Sequence, residues 1–250
     1  MNRTLRLSPL IALGFAGLAL LPACAQGGGT TDKAEVEKIV REYILANPEI
    51  IEEALVALTE KERLAQASAA KAAISDNASA LYNNNTDYFV GDADAPVTVV
   101  EFFDYRCGYC KRSAEWTANL PKSYDGEVRV VFKEYPIFGG ISETAALAAL
   151  ASGKQGKYID MHLALMGLKS NDDLTEKKID ELAMQLGIDV QRMRADMKSD
   201  AVKQQLADMQ ALGRTLNVGG TPGYFVGDQA IEGANLPKID EAIRAEIEKS

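Results

Sequence analysis

Residues 97–110 of the 250-residue sequence read VTVVEFFDYRCGYC. An apolar run typical of a buried strand leads directly into the motif Cys107-Gly108-Tyr109-Cys110, and a helix-like segment follows. A disulfide within this motif would stabilise the fold little, because the stabilisation grows with the length of the closed loop. The two cysteines therefore indicate redox chemistry rather than a structural cross-link.

The two thiols are expected to differ in reactivity. Cys107 should lie at the N-terminus of the following helix, where unpaired backbone N–H groups and the helix dipole favour a thiolate and lower the pKa from its usual ~8.5. Cys110 lies nearly one helical turn further on and should be less exposed. We predict that Cys107 is the nucleophile and that Cys110 resolves the mixed disulfides that Cys107 forms.

A metal site is the alternative use of these thiols. Structural zinc usually takes four ligands, and the chain offers only Cys24 and His162 as further cysteine or histidine. Two-coordinate Cu(I) needs only Cys107 and Cys110, so a copper carrier stays open. The preferred expectation is that the chain needs no metal or other cofactor beyond the redox-active pair itself, and no role is predicted for His162.

The first 25 residues have the pattern of a secretory signal peptide. Arg3 and Arg6 precede an apolar stretch, and the small-residue site Ala23-Cys24-Ala25 follows. Residues 21–24 also resemble a bacterial lipobox, which makes lipid anchoring through Cys24 the alternative to cleavage after Ala25. Either route predicts export to the periplasm, an oxidising compartment that suits a redox-active pair.

Composition and charge limit the function classes. With 47% apolar residues, the chain can bury one sizeable core and an accessory element. The formal net charge is −9, and loss of the two arginines of the signal peptide makes it −11. Such an acidic chain is not expected to bind nucleic acid.

Residues 26–86 predict a helical segment and a linker. Residues 33–46 carry apolar side chains at three- and four-residue intervals, and a second helix is predicted from Pro48 to about residue 81, where neither proline nor glycine interrupts. The apolar seam of this second helix is thin and rich in alanine, so it cannot form a core by itself. We predict that residues 32–82 associate with other copies of the chain.

Residues 87–250 predict an α/β catalytic domain. A helix from Cys107 to about residue 119, closed by Pro121, connects the strand at 97–103 to a second strand at 128–132. Residues 142–217 are wholly helical, with segments at about 143–151, 158–168, 176–186 and 190–216. A hairpin at 223–226 and 230–232 precedes a last helix at 236–247.

This order of elements around the cysteine pair resembles the thioredoxin fold in its DsbA-family form, with residues 142–217 as an inserted helical domain. The N-terminal helices resemble those of the ScsC-like branch, in which such a segment holds protomers together, and the resemblance favours a trimer. Four motifs carry the resemblance, namely APVT leading into EFFDY (95–105), the CGYC pair, KEYP (133–136) and GTPGYF (220–225).

The resemblance also supplies further site residues. It implies that Pro222 is a cis-proline facing the cysteines, and that the Thr221 backbone pairs with an extended substrate. Glu101 matches the buried acid that exchanges a proton with the buried thiol, with a pKa raised toward the working pH. Lys133 on the next strand is predicted to partner Glu101 in support of proton transfer.

The dipeptide between the cysteines decides the expected direction of the reaction. Strong oxidases of the family carry Pro-His there, whereas Gly108-Tyr109 brings no stabilising charge and would contact substrate directly. Gly-Tyr followed by Thr221 before the proline resembles the disulfide isomerase DsbC. The prediction is therefore an oligomeric isomerase or reductase acting on misfolded or reduced exported proteins and kept reduced by a membrane reductase. The alternative is a monomeric oxidase reoxidised by a quinone-linked membrane partner.

Overall fold

The computed structural model describes residues 32–250. The predicted signal peptide and Cys24 lie outside the described residues. Within them, no helix combines the length and the apolar character needed to cross a membrane. The described chain divides into a unit ending at residue 57 and a compact unit of residues 58–250.

Residues 58–250 are built on a mixed sheet. Its strands are β1 (Tyr88–Val90), β2 (Val97–Phe103), β3 (Val128–Glu134), β4 (Gly223–Val226) and β5 (Gln229–Glu232). They lie in the order β1-β3-β2-β4-β5, with β2 and β3 parallel and the other neighbouring pairs antiparallel. The predicted strand-helix-strand start and C-terminal hairpin are confirmed.

The described helices lie before, between and after these strands in the sequence. They are α1 (Lys33–Ala46), α2 (Glu49–Asp76), α3 (Ala78–Tyr82), α4 (Gly108–Ser123), α5 (Ile141–Gly153), α6 (Tyr158–Met166), α7 (Glu176–Gln185), α8 (Val190–Asp196), α9 (Asp200–Thr215) and α10 (Leu236–Ile247), with a 3₁₀ turn at Asn171–Asp173. The helices α5 to α9 form the predicted insert. The α/β fold class with a helical insert is therefore confirmed.

The central strand β2 presents its two faces to two different cores. Because side chains alternate along a strand, Val99, Glu101 and Phe103 share one face, and Val100 and Phe102 share the other. The first face packs in the main core with residues of α4, α10 and the insert. The second face packs with residues of α3 and with the end of α9. Glu101 is thereby held inside the domain on the α4 side.

The insert packs around α5, whose buried positions are mostly alanine. Small side chains allow neighbouring helices to approach closely, and α6, α7, α8 and α9 all contact α5. The single helix predicted at 190–216 is two helices, because Ser199 caps a new one: its Oγ accepts the N–H of Val202 at 3.4 Å.

Two elements differ from the sequence prediction near the sheet. The edge strand β1 was not predicted, because three residues are too few for a strand periodicity to be recognised. It forms by antiparallel pairing with β3. The helix α4 does not end before Pro121 but continues to Ser123.

The long helix predicted from residue 48 to 81 is interrupted at Asn77, whose side-chain amide donates to the carbonyl of Ala73 at 2.8 Å. Beyond this break, α3 turns Leu81 into the second core, where it is fully buried, as is Ile74 at the end of α2. The core of residues 58–250 therefore includes residues N-terminal to the boundary predicted at residue 87.

Candidate active site

Cys107 is the N-cap residue of α4, and its Sγ accepts the backbone N–H of Cys110 at 3.3 Å. This position places the sulfur at the positive end of the helix dipole. The thiol lies 3.1 Å from the carbonyl oxygen of Thr221, to which it donates. Hydrogen bonding from the Cys110 thiol is the largest cause that lowers the pKa of Cys107, and the pKa falls to about 5 although burial raises it. The cap position and the hydrogen bond from Cys110 thus favour ionisation of Cys107.

Cys110 lies in the first turn of α4 and is fully buried. Burial is the main cause that raises its pKa well above the usual value, and hydrogen bonding to Cys107 and the charge of Glu101 raise it further. The two thiols of one motif are thus shifted in opposite directions, and Cys110 must lose a proton before it can attack a disulfide.

Glu101 lies on β2 beneath α4 and is only 1% exposed. Its Oε1 accepts the hydroxyl proton of Tyr224 at 2.9 Å, while its Oε2 has no hydrogen-bond partner in the described part of the chain. Burial raises the pKa of Glu101 to about 8; the Tyr224 bond lowers it, and the charge of Cys107 adds to the rise. This is the direction expected from the sequence for a buried carboxyl at this position.

A small polar network that sequence reasoning missed holds Glu101 in place. The hydroxyl oxygens of Thr117 and Ser113 lie 2.8 and 3.2 Å from the Tyr224 phenol oxygen. Ser113 and Thr117 are four residues apart, so both lie on the buried face of α4. Two hydroxyl residues at this spacing on an otherwise apolar face are a signal that could have been used.

The Thr221–Pro222 peptide bond is cis, as the resemblance implied. Thr221 brings its carbonyl to Cys107, and its buried Oγ1 has no hydrogen-bond partner among the described residues. Gly108 and Tyr109 are both exposed, and 61% of Tyr109 is accessible to solvent. The predicted substrate-contacting residues thus lie beside the reactive sulfur.

Lys133 does not partner Glu101, and this prediction was wrong. Lys133 pairs in register with Phe102, so its side chain lies on the opposite face of the sheet from Glu101. Its ammonium group binds the Asp87 carboxylate and donates to the carbonyl of Ala80 at 2.7 Å. Lys133 therefore ties α3 and the start of β1 to the sheet.

A second buried polar cluster lies below the loop that carries Cys107. Glu134 accepts the hydroxyl protons of Tyr105 and Tyr158 at 2.8 and 2.9 Å, and the Tyr105 hydroxyl lies 3.3 Å from Nδ1 of His162. Burial raises the pKa of Glu134 well above its usual value and lowers that of His162 to about 3. The hydrogen bonds of this cluster hold Tyr105, two residues before the reactive cysteine.

Two family models match the chain. Residues 83–248 match the model described as "Thioredoxin", and residues 32–65 match the model described as "Copper resistance protein ScsC N-terminal domain". The first match covers the sheet and the site, and the second covers α1 and the first part of α2.

Solved structures and a curated relative agree with these matches. A linker-deletion mutant of Proteus mirabilis ScsC is 26% identical with a TM-score of 0.66, covering 94% of this chain and 100% of that one. The thiol-disulfide exchange protein alpha-DsbA2 of Wolbachia pipientis is 28% identical with a TM-score of 0.65, covering 72% and 97%. The probable disulfide bond formation protein D of Bacillus cereus is 25% identical over 187 residues, which are 70% of this chain and 85% of that protein.

The first curated relatives are much longer proteins. A Na(+)/H(+) antiporter NhaA 3 of Salinispora tropica is 30% identical over 169 residues, which are 63% of this chain. The chain spans about a quarter of the length of that antiporter, since the match covers 24% of it.

Proposed function

The chain belongs to the thioredoxin family, in the DsbA-like form with ScsC-like N-terminal helices, and on this basis we propose that it is a protein thiol–disulfide oxidoreductase. The observation that carries the proposal is the contrast between its two thiols. Cys107 is an acidic thiol at a helix N-terminus, and Cys110 is a buried thiol that keeps its proton.

The reaction follows from this contrast. The Cys107 thiolate attacks one sulfur of a substrate disulfide, which forms a mixed disulfide and releases the other sulfur as a thiolate. Glu101 then accepts the proton of Cys110, and Cys110 attacks the Cys107 sulfur. The substrate leaves as a dithiol after protonation, and the Cys107–Cys110 disulfide holds the two oxidising equivalents. Run in reverse, the same steps oxidise a substrate.

Isomerisation or reduction is the preferred direction. A Cys107 pKa of about 5 lies between the ~7 of thioredoxin and the ~3.5 of the oxidase DsbA, so Cys107 is a less extreme leaving group than in that oxidase. The clients would be misfolded or reduced exported proteins in the periplasm, and a membrane reductase would keep the pair reduced.

Self-association is part of this proposal. The described residues of the N-terminal unit form helices with large apolar side chains in solvent, among them Val36, Ile39, Val40 and Tyr43, which are 42–60% exposed. Other copies of the same helices, in a trimer as the ScsC resemblance suggests, would cover this surface. Several active sites could then act on one scrambled client.

Two other functions make different predictions. A monomeric oxidase would be found mostly oxidised and would depend on a quinone-linked membrane partner. A copper carrier would bind Cu(I) through Cys107 and Cys110, both of which are free thiols in the structure. Binding would then have to displace the proton of buried Cys110.

Trapping of mixed disulfides tests the proposal. Cys110→Ser should accumulate long-lived disulfide-linked adducts with exported proteins, because nothing remains to resolve the Cys107 bond. Cys107→Ser should form none and exchange no disulfides. Non-reducing electrophoresis and mass mapping would identify the linked sulfur. Adducts that form through Cys110 in the Cys107→Ser chain would contradict the assignment.

A further inference from the structure

Two arginines flank the reactive cysteine, and each lies against an exposed aromatic ring. The guanidinium carbon of Arg112 lies 4.3 Å from the ring centroid of Tyr109, and that of Arg106 lies 5.7 Å from the ring centroid of Phe138. The rings themselves are not buried: Tyr109 is 61% exposed and Phe138 is 52% exposed. The surroundings of Cys107 thus combine apolar rings and positive charge at the surface.

The Arg112 side chain folds back across the cysteine motif. A Cβ atom at Gly108 would lie 3.5 Å from Nη1 of Arg112, which places this guanidinium over the residue that follows Cys107. The Gly108-Tyr109 dipeptide itself is uncharged, but a charge from the next helical turn covers it. This contact depends on a helix spacing of four residues and was not found from the sequence.

Neither guanidinium is neutralised by a carboxylate. Among the described residues, Arg106 and Arg112 have no ion pair within 4 Å, whereas Arg63 and Arg244 each have one and Arg194 has two. A guanidinium stacked on a ring keeps its N–H groups directed outward, where they can bind a carboxylate in bidentate fashion. The net charge of −9 already favours solubility, so solubility does not explain two unpaired positive charges at the active site.

The nearby acids do not pair with these two guanidiniums. The Asp104 carboxylate is buried and accepts the backbone N–H groups of Arg106 and Phe138 at 2.7 and 3.1 Å. These bonds hold Arg106 and Phe138, which form one of the two arginine–ring pairs, next to each other. The negative charge of Asp173 stabilises the positive charge of Lys111. Glu115, three residues beyond Arg112 on α4, makes no ion pair with it within 4 Å. The two guanidiniums therefore remain available to a ligand.

We infer that Arg106 and Arg112, with Phe138 and Tyr109, select client segments in which an acidic residue lies next to the cysteine and an apolar residue lies close by. The inference rests on the proposed function, because it concerns the substrate of the same Cys107. Stacking holds each guanidinium in place, so that a client carboxylate can bind without ordering a free side chain. The hydrogen bonds that activate Cys107 come from the Cys110 thiol and from the backbone of Tyr109 and Cys110, so the arginines are not needed for that task.

Matched peptides test the inference on the full chain. Three disulfide-linked peptides would differ only in having Glu, Gln or Lys on both sides of the cysteine. At low salt the Glu peptide should exchange about three- to tenfold faster than the Gln peptide, the range expected for one or two solvent-exposed ion pairs, and the Lys peptide should be slowest. High salt should reduce these ratios toward one.

Two variants identify the source of the preference. Arg112→Gln should bring the Glu-to-Gln ratio close to one, and Arg112→Lys should restore part of it. The control is Lys122→Gln, which removes the same charge from an exposed site about 15 Å further along α4 than Arg112 and should keep the parent ratio.

The possible outcomes separate the two proposals. Normal exchange without any preference among the peptides would overturn the inference and leave the oxidoreductase function intact. No exchange with any peptide would contradict the oxidoreductase function itself. If Arg112→Gln slows all three peptides equally and raises the pH at which Cys107 becomes reactive, Arg112 acts on the thiol and not on the client, and the inference fails.

Discussion

The reactivity of the site depends on the positions of its two cysteines, Cys107 and Cys110. Cys107 gains hydrogen bonds as the cap of α4, and Cys110 loses hydration one turn further on. Their pKa values therefore move in opposite directions. Glu101 is coupled to both thiols, because its charge raises the pKa of Cys110 and the charge of Cys107 raises the pKa of Glu101. In the proposed reaction, the proton transfer from Cys110 to Glu101 is therefore the step expected to depend on pH.

Glu101→Gln should slow the release of client from mixed disulfides and flatten its dependence on pH. With a pKa of about 8, Glu101 gains its accepting carboxylate form as pH rises through that value, so release should accelerate there in the parent and not in the variant. Stopped-flow release measured between about pH 6 and 9 checks this, with exposed Glu115→Gln as the control. Equal pH profiles for the parent and Glu101→Gln would assign Glu101 a structural role only.

We also expect Glu101→Gln to change the free energy of unfolding. The pKa of Glu101 is about 8 in the folded state, whereas that of an ordinary glutamate is 4.5, so the folded state holds the proton more tightly. The stability it contributes is complete below 4.5 and is lost as pH rises through about 8. Above that pH, Glu101→Gln should raise the free energy of unfolding by about 5 kcal/mol at most. Urea unfolding of the reduced proteins checks the sign.

Residue chemistry near the cysteines was largely predictable from the sequence, because short motifs fix Cys107, Cys110, Pro222 and Glu101. Lys133 could not be assigned that way. A shift of one residue in strand register moves a side chain to the other face of the sheet. The register between β2 and β3, which places Lys133 beside Phe102, is known only from the structure.

At the scale of elements, the second face of the sheet was the least predictable part. It is covered by α3, which the sequence merged into one long helix, and it is held by a buried ion pair between Lys133 and Asp87. Burial is the largest cause of the pKa shift of both partners. It raises the pKa of Asp87 to about 6 and lowers the pKa of Lys133. The cost of burial thus exceeds the mutual attraction.

Lys133→Met should therefore destabilise the protein by about 3–5 kcal/mol, because it leaves Asp87 buried without a partner. The double variant Lys133→Met with Asp87→Asn should recover most of this loss, since no buried charge remains. Urea unfolding measures both effects. Release of mixed disulfides by the double variant should match the parent; slower release would return Lys133 to the proton-transfer role that its position argues against.

At the scale of the whole molecule, amphipathic periodicity predicted α1 correctly, since the helix runs over Lys33–Ala46 as expected. Its apolar side chains Val36, Ile39, Val40 and Tyr43 are exposed in the single chain. Residues 74–82, in contrast, pack into the core of residues 58–250, so deletion of the whole segment 32–82 would damage the catalytic unit. Substitutions within α1 test self-association without this damage.

The most direct test of the proposed isomerase compares two rates in the full chain: refolding of a scrambled multi-disulfide substrate and exchange with a small peptide. Val36→Glu with Val40→Glu places charges on the exposed apolar surface of α1, and light scattering should then show a monomer. The ratio of refolding to exchange should fall by about tenfold or more, because several active sites no longer act on one client. Lys33→Gln with Lys38→Gln changes the net charge equally and should keep the parent ratio. A parent chain that is already monomeric, or an α1 variant that refolds the substrate as well as the parent, would contradict the account.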